Sequence, residues 1–95
     1  MTNIQAIIKK TIPVLAKHQV KKSSIFGSFA HGDNKKDSDI DILVELKDGK
    51  TLLDLVSLEM DIEKEINKKV DVITYNSIHP LLKDSILRNE IKIYG

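Results

Sequence analysis

The chain has 95 residues, of which 41% are hydrophobic and 31% charged, and this balance indicates one small folded domain and excludes a disordered chain. Its net charge of +1 gives no support for long nucleic acid as the main partner, and the absence of cysteine excludes disulfides and thiolate metal sites. No apolar run approaches a membrane span and residues 1–10 lack the apolar region of a signal peptide, so we expect a single cytoplasmic domain over residues 1–95.

Apolar residues recur at helical spacing over residues 3–17, which predicts an amphipathic helix. Pro13 lies late in this pattern and is expected to kink or restart the helix, because proline has no backbone N–H to donate. Lys22–Phe26 is predicted as a short strand, and a polar loop over residues 32–37 follows it. Asp39–Leu46 is the clearest strand, with Ile40, Ile42 and Val44 on one face and Asp39, Asp41, Leu43 and Glu45 on the other.

A capping box marks the next helix, because Thr51 and Asp54 stand three residues apart before an apolar pattern that reaches about Asn67. The apolar arc of this helix is wider than one sheet face needs. The later elements are a strand over Val70–Thr74 with Tyr75 at its end, a helix that starts at Pro80, and an edge strand over Ile91–Tyr94. This order of helices and strands predicts a small α/β domain without repeats or linkers.

Two carboxylates stand at the start of the clearest strand. Asp39 and Asp41 are two residues apart, so they project from the same face, roughly 6.5–7 Å apart along the strand. Carboxylates placed in this way can hold one or two Mg²⁺ ions, since two-metal sites keep their ions about 3.5–4 Å apart. Without a cation the two charges would repel each other beside apolar neighbours. The alternative is a solvated strand face whose aspartates cap the loop, and this pair alone does not decide between the two.

A Gly-Ser turn precedes the two carboxylates. Gly27 and Ser28 follow a strand and precede a short segment, Phe29–His31, that could be helical. Their backbone amides and the Ser28 hydroxyl would then point at an anion such as a phosphate. The alternative is a tight turn that needs only a positive φ at Gly27. The ten residues between Ser28 and Asp39 join the turn and the carboxylates into one candidate site for a nucleoside triphosphate and metal ions.

Two competing motifs fail at positions they cannot do without. The two glycines of this region have the spacing of the first half of a Walker A loop, but Asp33 and Asn34 stand where Lys and Ser or Thr are required. An EF-hand loop that started at Asp33 would have Ser38 in place of its glycine and Val44 in place of its bidentate glutamate. Both explanations are therefore excluded.

Asp71 is a third carboxylate of interest, because it lies inside the apolar strand Val70–Ile73, where an aspartate needs a cation as partner. If this strand neighbours Asp39–Leu46, Asp71 can face the same metal ions and accept the proton of an attacking hydroxyl. The alternative is an ion pair with Lys68 or Lys69. We favour the catalytic interpretation, since the other two carboxylates require a third ligand.

The run Gly27-Ser28, ten residues, Asp39-Ile40-Asp41 and then Asp71 on a later strand resembles the minimal nucleotidyltransferases of the DNA polymerase β superfamily. The resemblance covers most of the chain and implies a single nucleotidyltransferase domain, an α/β fold with a small mixed β-sheet and flanking helices. It implies that ATP or another nucleoside triphosphate binds with two Mg²⁺ ions. By this resemblance Gly27 and Ser28 hold the triphosphate, Asp39 and Asp41 hold both ions, and Asp71 completes the metal site on the side of the nucleophile.

The resemblance also implies a partner. Members of this kind are often the antitoxin of a toxin–antitoxin pair whose toxin is a helical HEPN ribonuclease, and they transfer AMP to a tyrosine of that toxin. We therefore expect in-line attack of a toxin hydroxyl on the α-phosphate of ATP. One alternative is an antitoxin that acts by docking alone, which the wide apolar arc of the helix after Thr51 favours. Another is a nucleotidyltransferase for a small molecule, for which 95 residues leave little room.

Overall fold

The computed structural model describes residues 4–26 and 40–95 of the chain. Its elements in chain order are helix α1 (Ile4–Lys17), strand β1 (Val20–Phe26), strand β2 (Ile40–Leu46), helix α2 (Leu52–Ile66), strand β3 (Val70–Thr74), a 3-10 turn (Tyr75–Ser77), helix α3 (Pro80–Arg88) and strand β4 (Ile91–Tyr94). No helix within these two segments is long and apolar enough to cross a membrane. The predicted α/β fold is confirmed.

The four strands described form one mixed sheet in the order β3-β2-β1-β4. β1 is antiparallel to both β2 and β4, whereas β2 and β3 are parallel. Parallel neighbours need a crossover connection, and α2 provides it between β2 and β3. β3 and β4 span the predicted residues, whereas β1 begins at Val20 instead of Lys22, because the Val20 side chain packs into the core. The predicted mixed sheet is therefore confirmed.

Helices α1 and α2 cover one face of the sheet, which we call the helix face. Alternate residues of a strand point to opposite faces, so Asp41, Leu43 and Glu45 project from the other face, which we call the open face. The core lies between the helices and the helix face, and its central side chains are Ile7, Leu15, Ile40, Ile42, Val44, Leu58 and Ile62. Every second residue of β2 therefore contributes to the core.

A kink or a restart is expected at Pro13 from the sequence; helix α1 continues through this residue, so the restart is wrong. Proline removes only one backbone hydrogen bond from a helix, and the buried Thr11 and Leu15 on either side of Pro13 keep this helix packed on the sheet. The Thr11 hydroxyl donates a hydrogen bond to the Ile7 carbonyl (2.7 Å), so the buried polar group is satisfied. Tertiary packing thus outweighs the local effect of the proline.

Both later helices begin as predicted. The Asp54 carboxylate accepts hydrogen bonds from the Thr51 backbone N–H (2.7 Å) and hydroxyl (3.2 Å), which confirms the capping box of α2. The backbone bond from Thr51 lowers the pKa of Asp54 below its usual 3.8. α3 begins at Pro80, and the Nδ1 atom of His79 accepts a hydrogen bond from the Leu81 backbone N–H (3.1 Å). The local sequence signals at both helix starts are therefore sufficient.

Helix α2 also holds the outer edge of β3. Glu63 and Glu59 accept hydrogen bonds from the backbone N–H groups of Val70 (3.0 Å) and Val72 (3.3 Å). β3 is an edge strand, so without the two glutamates these N–H groups would have no partner in the sheet. The two bonds flank Asp71 along the strand and so fix its backbone.

Candidate active site

The structure places Asp41 and Asp71 side by side. In the parallel ladder between β2 and β3, Ile40 is opposite Val70 and Asp41 is opposite Asp71. Neighbouring strands lie about 4.8 Å apart and paired residues project from the same face, so both carboxylates stand on the open face. Asp41 is half-buried and Asp71 is exposed. The strand adjacency on which the interpretation of Asp71 depended is therefore present.

The end of β1 lies at the same place. Phe26, the last residue of β1, is opposite Asp41 in the antiparallel ladder between β1 and β2. Gly27, the first residue of the predicted phosphate turn, follows Phe26 in the chain. The predicted turn would therefore start directly after the strand end that adjoins the two carboxylates.

Three predicted site residues, Gly27, Ser28 and Asp39, lie outside the described residues, and their roles stay predictions. Among residues 4–26 and 40–95, no group of three His, Cys, Asp or Glu side chains is arranged to hold a metal ion. Asp41 and Asp71 supply carboxylate oxygens, the donor type that Mg²⁺ prefers. The pair fits part of a Mg²⁺ site, and Asp39 would have to complete it.

A cavity of about 380 Å³ opens on the same face of the sheet. One wall begins at Ser24, which is opposite Leu43 and therefore roughly 7 Å along the strands from Asp41. The other residues that matter for its chemistry are Tyr75, Leu87, Glu90, Lys92 and Tyr94. This volume lies within the range of small-molecule sites, so the open face offers a ligand-sized space, whose lining starts two residues along the strands from Asp41 and includes neither carboxylate.

Tyr75 closes part of this cavity. Its hydroxyl is hydrogen-bonded to the Ser24 hydroxyl (2.7 Å), and the Lys22 ammonium lies 4.6 Å from the centre of its ring. Burial raises the pKa of Tyr75, and the charge of the nearby Glu90 carboxylate adds to the rise. The ring is therefore held in place at both its face and its hydroxyl.

Glu90 brings an unpaired oxygen to the cavity. Its Oε2 atom is buried and has no hydrogen-bond partner in the part of the chain that the structure describes. A buried polar atom without a partner costs about 1–3 kcal/mol, so such atoms are uncommon and call for an explanation. Sequence reasoning missed Glu90, because it follows a helix in a polar stretch that is typical of surface. It also missed Ser24, for which two adjacent serines inside a short strand were the available signal.

The polymerase beta nucleotidyltransferase family matches residues 9–95 of the chain. The chain belongs to this family. A proposed protein adenylyltransferase of Methanocaldococcus jannaschii is 57% identical over 91 residues, which are 96% of this chain and 98% of that protein. A solved structure of a proposed minimal nucleotidyltransferase is 32% identical, with a TM-score of 0.81, over 93% of this chain and 90% of that one.

A likeness of fold extends to a toxin–antitoxin complex. The complex between a tri-AMPylated HEPN toxin of Shewanella oneidensis and an MNT antitoxin contains a chain that is 20% identical, with a TM-score of 0.74, over 96% of this chain and 71% of that one. Family membership makes this nucleotidyltransferase an enzyme that transfers a nucleotide group to an acceptor. The resemblance predicted from the Gly-Ser turn and the Asp-x-Asp pair is confirmed.

Proposed function

We propose that this nucleotidyltransferase transfers AMP from ATP to a tyrosine hydroxyl of a HEPN-type toxin, with two Mg²⁺ ions, and so acts as the antitoxin of that toxin. The observation that carries the proposal is the paired position of Asp41 and Asp71 on the open face, beside the end of β1. The adenylyltransferase name of the relative from Methanocaldococcus jannaschii supports AMP as the group transferred. The fold shared with a chain of a toxin–antitoxin complex supports the choice of partner.

The reaction is an in-line displacement at the α-phosphorus of ATP. The acceptor oxygen forms a bond to this phosphorus while the bond to the bridging oxygen breaks, and pyrophosphate leaves with the electron pair. Asp71 takes the proton of the acceptor hydroxyl, Asp41 and Asp39 anchor the metal ions, and Gly27 and Ser28 hold the phosphates. When bound, Mg²⁺ lowers the pKa of the acceptor hydroxyl and offsets charge on the leaving oxygen. The chain itself contributes position and charge.

The intact mass of the partner tests this proposal. The chain, ATP, Mg²⁺ and the HEPN-type protein are incubated together, and each transfer should add about 329 Da to the partner. Removal of Mg²⁺ by a chelator should abolish the gain, and peptide mapping should place it on a tyrosine. A partner whose mass stays unchanged would contradict the proposed reaction.

Substitution of the paired aspartates tests the site. Asp41→Asn and Asp71→Asn should each lower the transfer rate about a hundredfold or more, because a neutral amide holds Mg²⁺ poorly and cannot take the proton. The matched control is Asp48→Asn in the exposed turn after β2, which should keep the wild-type rate. An undiminished rate in either aspartate variant would show that the substituted residue does not belong to the site.

A second candidate is neutralisation by docking alone, and one observation favours it. Helix α2 carries an exposed apolar stripe whose members are Leu52 (73% exposed), Leu53 (79%), Val56 (47%) and Met60 (62%). A stripe of this kind marks an interaction surface. If docking alone suffices, Asp41→Asn should still neutralise the partner, whereas Leu53→Asp with Met60→Asp should not. Retained neutralisation without any gain in the partner's mass would decide for this candidate.

A further inference from the structure

We propose that the cavity beside Tyr75 binds the base of the nucleotide, and that Glu90 selects adenine through its exocyclic amine. This inference rests on the proposed function to the extent that a nucleotide must bind at Asp41 and Asp71. It adds a residue that determines which nucleotide is used.

The strand register puts Glu90 within reach of a nucleotide at the carboxylates. Ile91 is opposite Ile25 in the ladder between β1 and β4, so the same register carried one residue beyond β4 puts Glu90 beside Phe26. Phe26 is in turn opposite Asp41. Two strand spacings, about 10 Å, therefore separate Glu90 from Asp41 across the sheet. A nucleotide with its α-phosphate at Asp41 can extend its ribose and base over β1 toward Glu90.

The cavity has the lining that a flat heterocycle needs. Lys92 is opposite Ser24 in the same ladder, and Glu90 lies two residues before Lys92, so all three face the open side. The ring of Tyr75 and the side chain of Leu87 supply apolar surface, and Tyr94, which packs partly against the core, adjoins the cavity. Aromatic rings stack on any base, so this lining binds the base without choosing among bases.

Glu90 provides the selectivity for adenine. Lys22, Lys83 and Lys92 also line the cavity, but no side chain in the described segments gives a hydrogen bond to the buried Oε2 atom of Glu90. The exocyclic amine of adenine is a donor and would satisfy this oxygen. Hypoxanthine has an oxygen at the same position, so two acceptors would face each other. A site built around a hydrogen bond rejects the analogue that cannot form it.

The test compares the affinities of ATP and of inosine triphosphate, ITP, whose base is hypoxanthine. Their dissociation constants are measured by equilibrium dialysis with Mg²⁺ present. The wild type should bind ATP about tenfold or more tightly than ITP, the effect of one hydrogen bond to a charged group. Glu90→Gln should shift this ratio about tenfold toward ITP, because a glutamine amide can rotate and donate to the oxygen. Glu65→Gln, which changes an exposed carboxylate of α2 outside this cavity, should keep the wild-type ratio.

Tyrosine fluorescence reports where the base binds. The chain has no tryptophan and two tyrosines, and both line the cavity. ATP should therefore change the tyrosine emission of the wild type, and Glu90→Gln should not lower its melting temperature, since it removes a charge from a buried atom without a partner.

The outcomes separate this inference from the proposed function. Equal binding of ATP and ITP by the wild type, an ATP:ITP ratio that Glu90→Gln leaves unchanged, or ATP binding without a change in tyrosine emission would each overturn the base site and leave AMP transfer intact. A wild type that binds neither nucleotide would overturn both.

Discussion

The two faces of the sheet divide stability and chemistry between alternate residues of the same strand. In β2, Ile40 and Ile42 are fully buried on the helix face, whereas Asp41 between them projects from the open face. Side chains on opposite faces do not contact each other. One strand thus carries both a packed core and a charged site. Substitutions on the two faces should therefore differ in size and even in sign.

The largest change in the free energy of unfolding is expected for a core residue on the helix face. Ile42→Ala should lower the free energy of unfolding by about 2–4 kcal/mol, because it leaves a cavity in a fully buried position. Urea unfolding followed by circular dichroism measures this loss. The control is Leu82→Ala on α3, where the side chain is 56% exposed and the change should stay within about 0.5 kcal/mol. Equal losses in the two variants would contradict the assignment of Ile42 to the core.

A smaller effect is expected where the helix layer supports the open face. Glu63→Ala leaves the Val70 N–H without its partner and should lower the free energy of unfolding by about 1–2 kcal/mol. Amide hydrogen exchange at Val70 should also become faster. Glu65→Ala, at an exposed position of the same helix, is the control. Unchanged exchange at Val70 in Glu63→Ala would show that the bond does not protect the edge of β3.

On the open face, a substitution should raise the free energy of unfolding instead of lowering it. Asp71→Asn removes one of two like charges that stand directly opposite each other, so it should raise the free energy of unfolding by about 0.2–1 kcal/mol in buffer without Mg²⁺. The same variant loses transfer activity, which would show that the site is kept at a cost in stability. The control Asp48→Asn should change stability less. A loss of stability in Asp71→Asn would mean that this carboxylate helps to hold the fold.

The smallest change in stability is expected for a hydrogen bond at the outer surface of the helices on the helix face. His18, just after α1, is joined to Asp61 of α2 by a hydrogen bond between Nε2 and Oδ2 (2.6 Å). This bond lowers the pKa of Asp61 below its usual 3.8. A carboxylate with a lowered pKa stabilises the fold above its unfolded-state pKa and loses this contribution as the pH falls through its folded-state pKa.

The stability advantage of the wild type over Asp61→Asn should therefore be present at neutral pH and shrink below pH 3.8. Urea unfolding of both proteins at several pH values measures it. Asp48→Asn serves as the exposed control, and its difference from the wild type should vary less with pH. An advantage of the wild type that stays constant through this range would contradict the role of the His18 bond.

The sequence predicted those parts of the fold whose signals are local. The start of α2 at its capping box, the start of α3 at Pro80 and the limits of β4 depend on a few adjacent residues, and all three are confirmed. The expected restart at Pro13 is wrong, because burial of the flanking residues depends on packing that no local pattern shows. The early start of β1 at Val20 has the same cause.

For the site, the sequence shows how chemically distinctive residues are spaced along the chain. It does not show which of them the fold brings together. Asp41 and Asp71 could be predicted as partners because each is an aspartate in an apolar strand, and their strands are adjacent. Ser24, Tyr75 and Glu90 are far apart in the chain and lack a shared motif. The pairing of β1, β2 and β3 brings Tyr75 to Ser24, and the pairing of β4 with β1 adds Glu90 to the same cavity. Contacts between distant segments depend on the whole fold, so the sequence could not reveal them.

The place of β4 at the far edge of the sheet has a consequence for synthesis. β2 and β3 precede β4 in the chain, so they can leave the ribosome and set Asp41 beside Asp71 before β4 does. Until β4 joins the sheet, one edge of β1 stays unpaired and can bind another chain. Glu90 and Tyr94 join the cavity last. The two carboxylates can thus be in place before the cavity is complete.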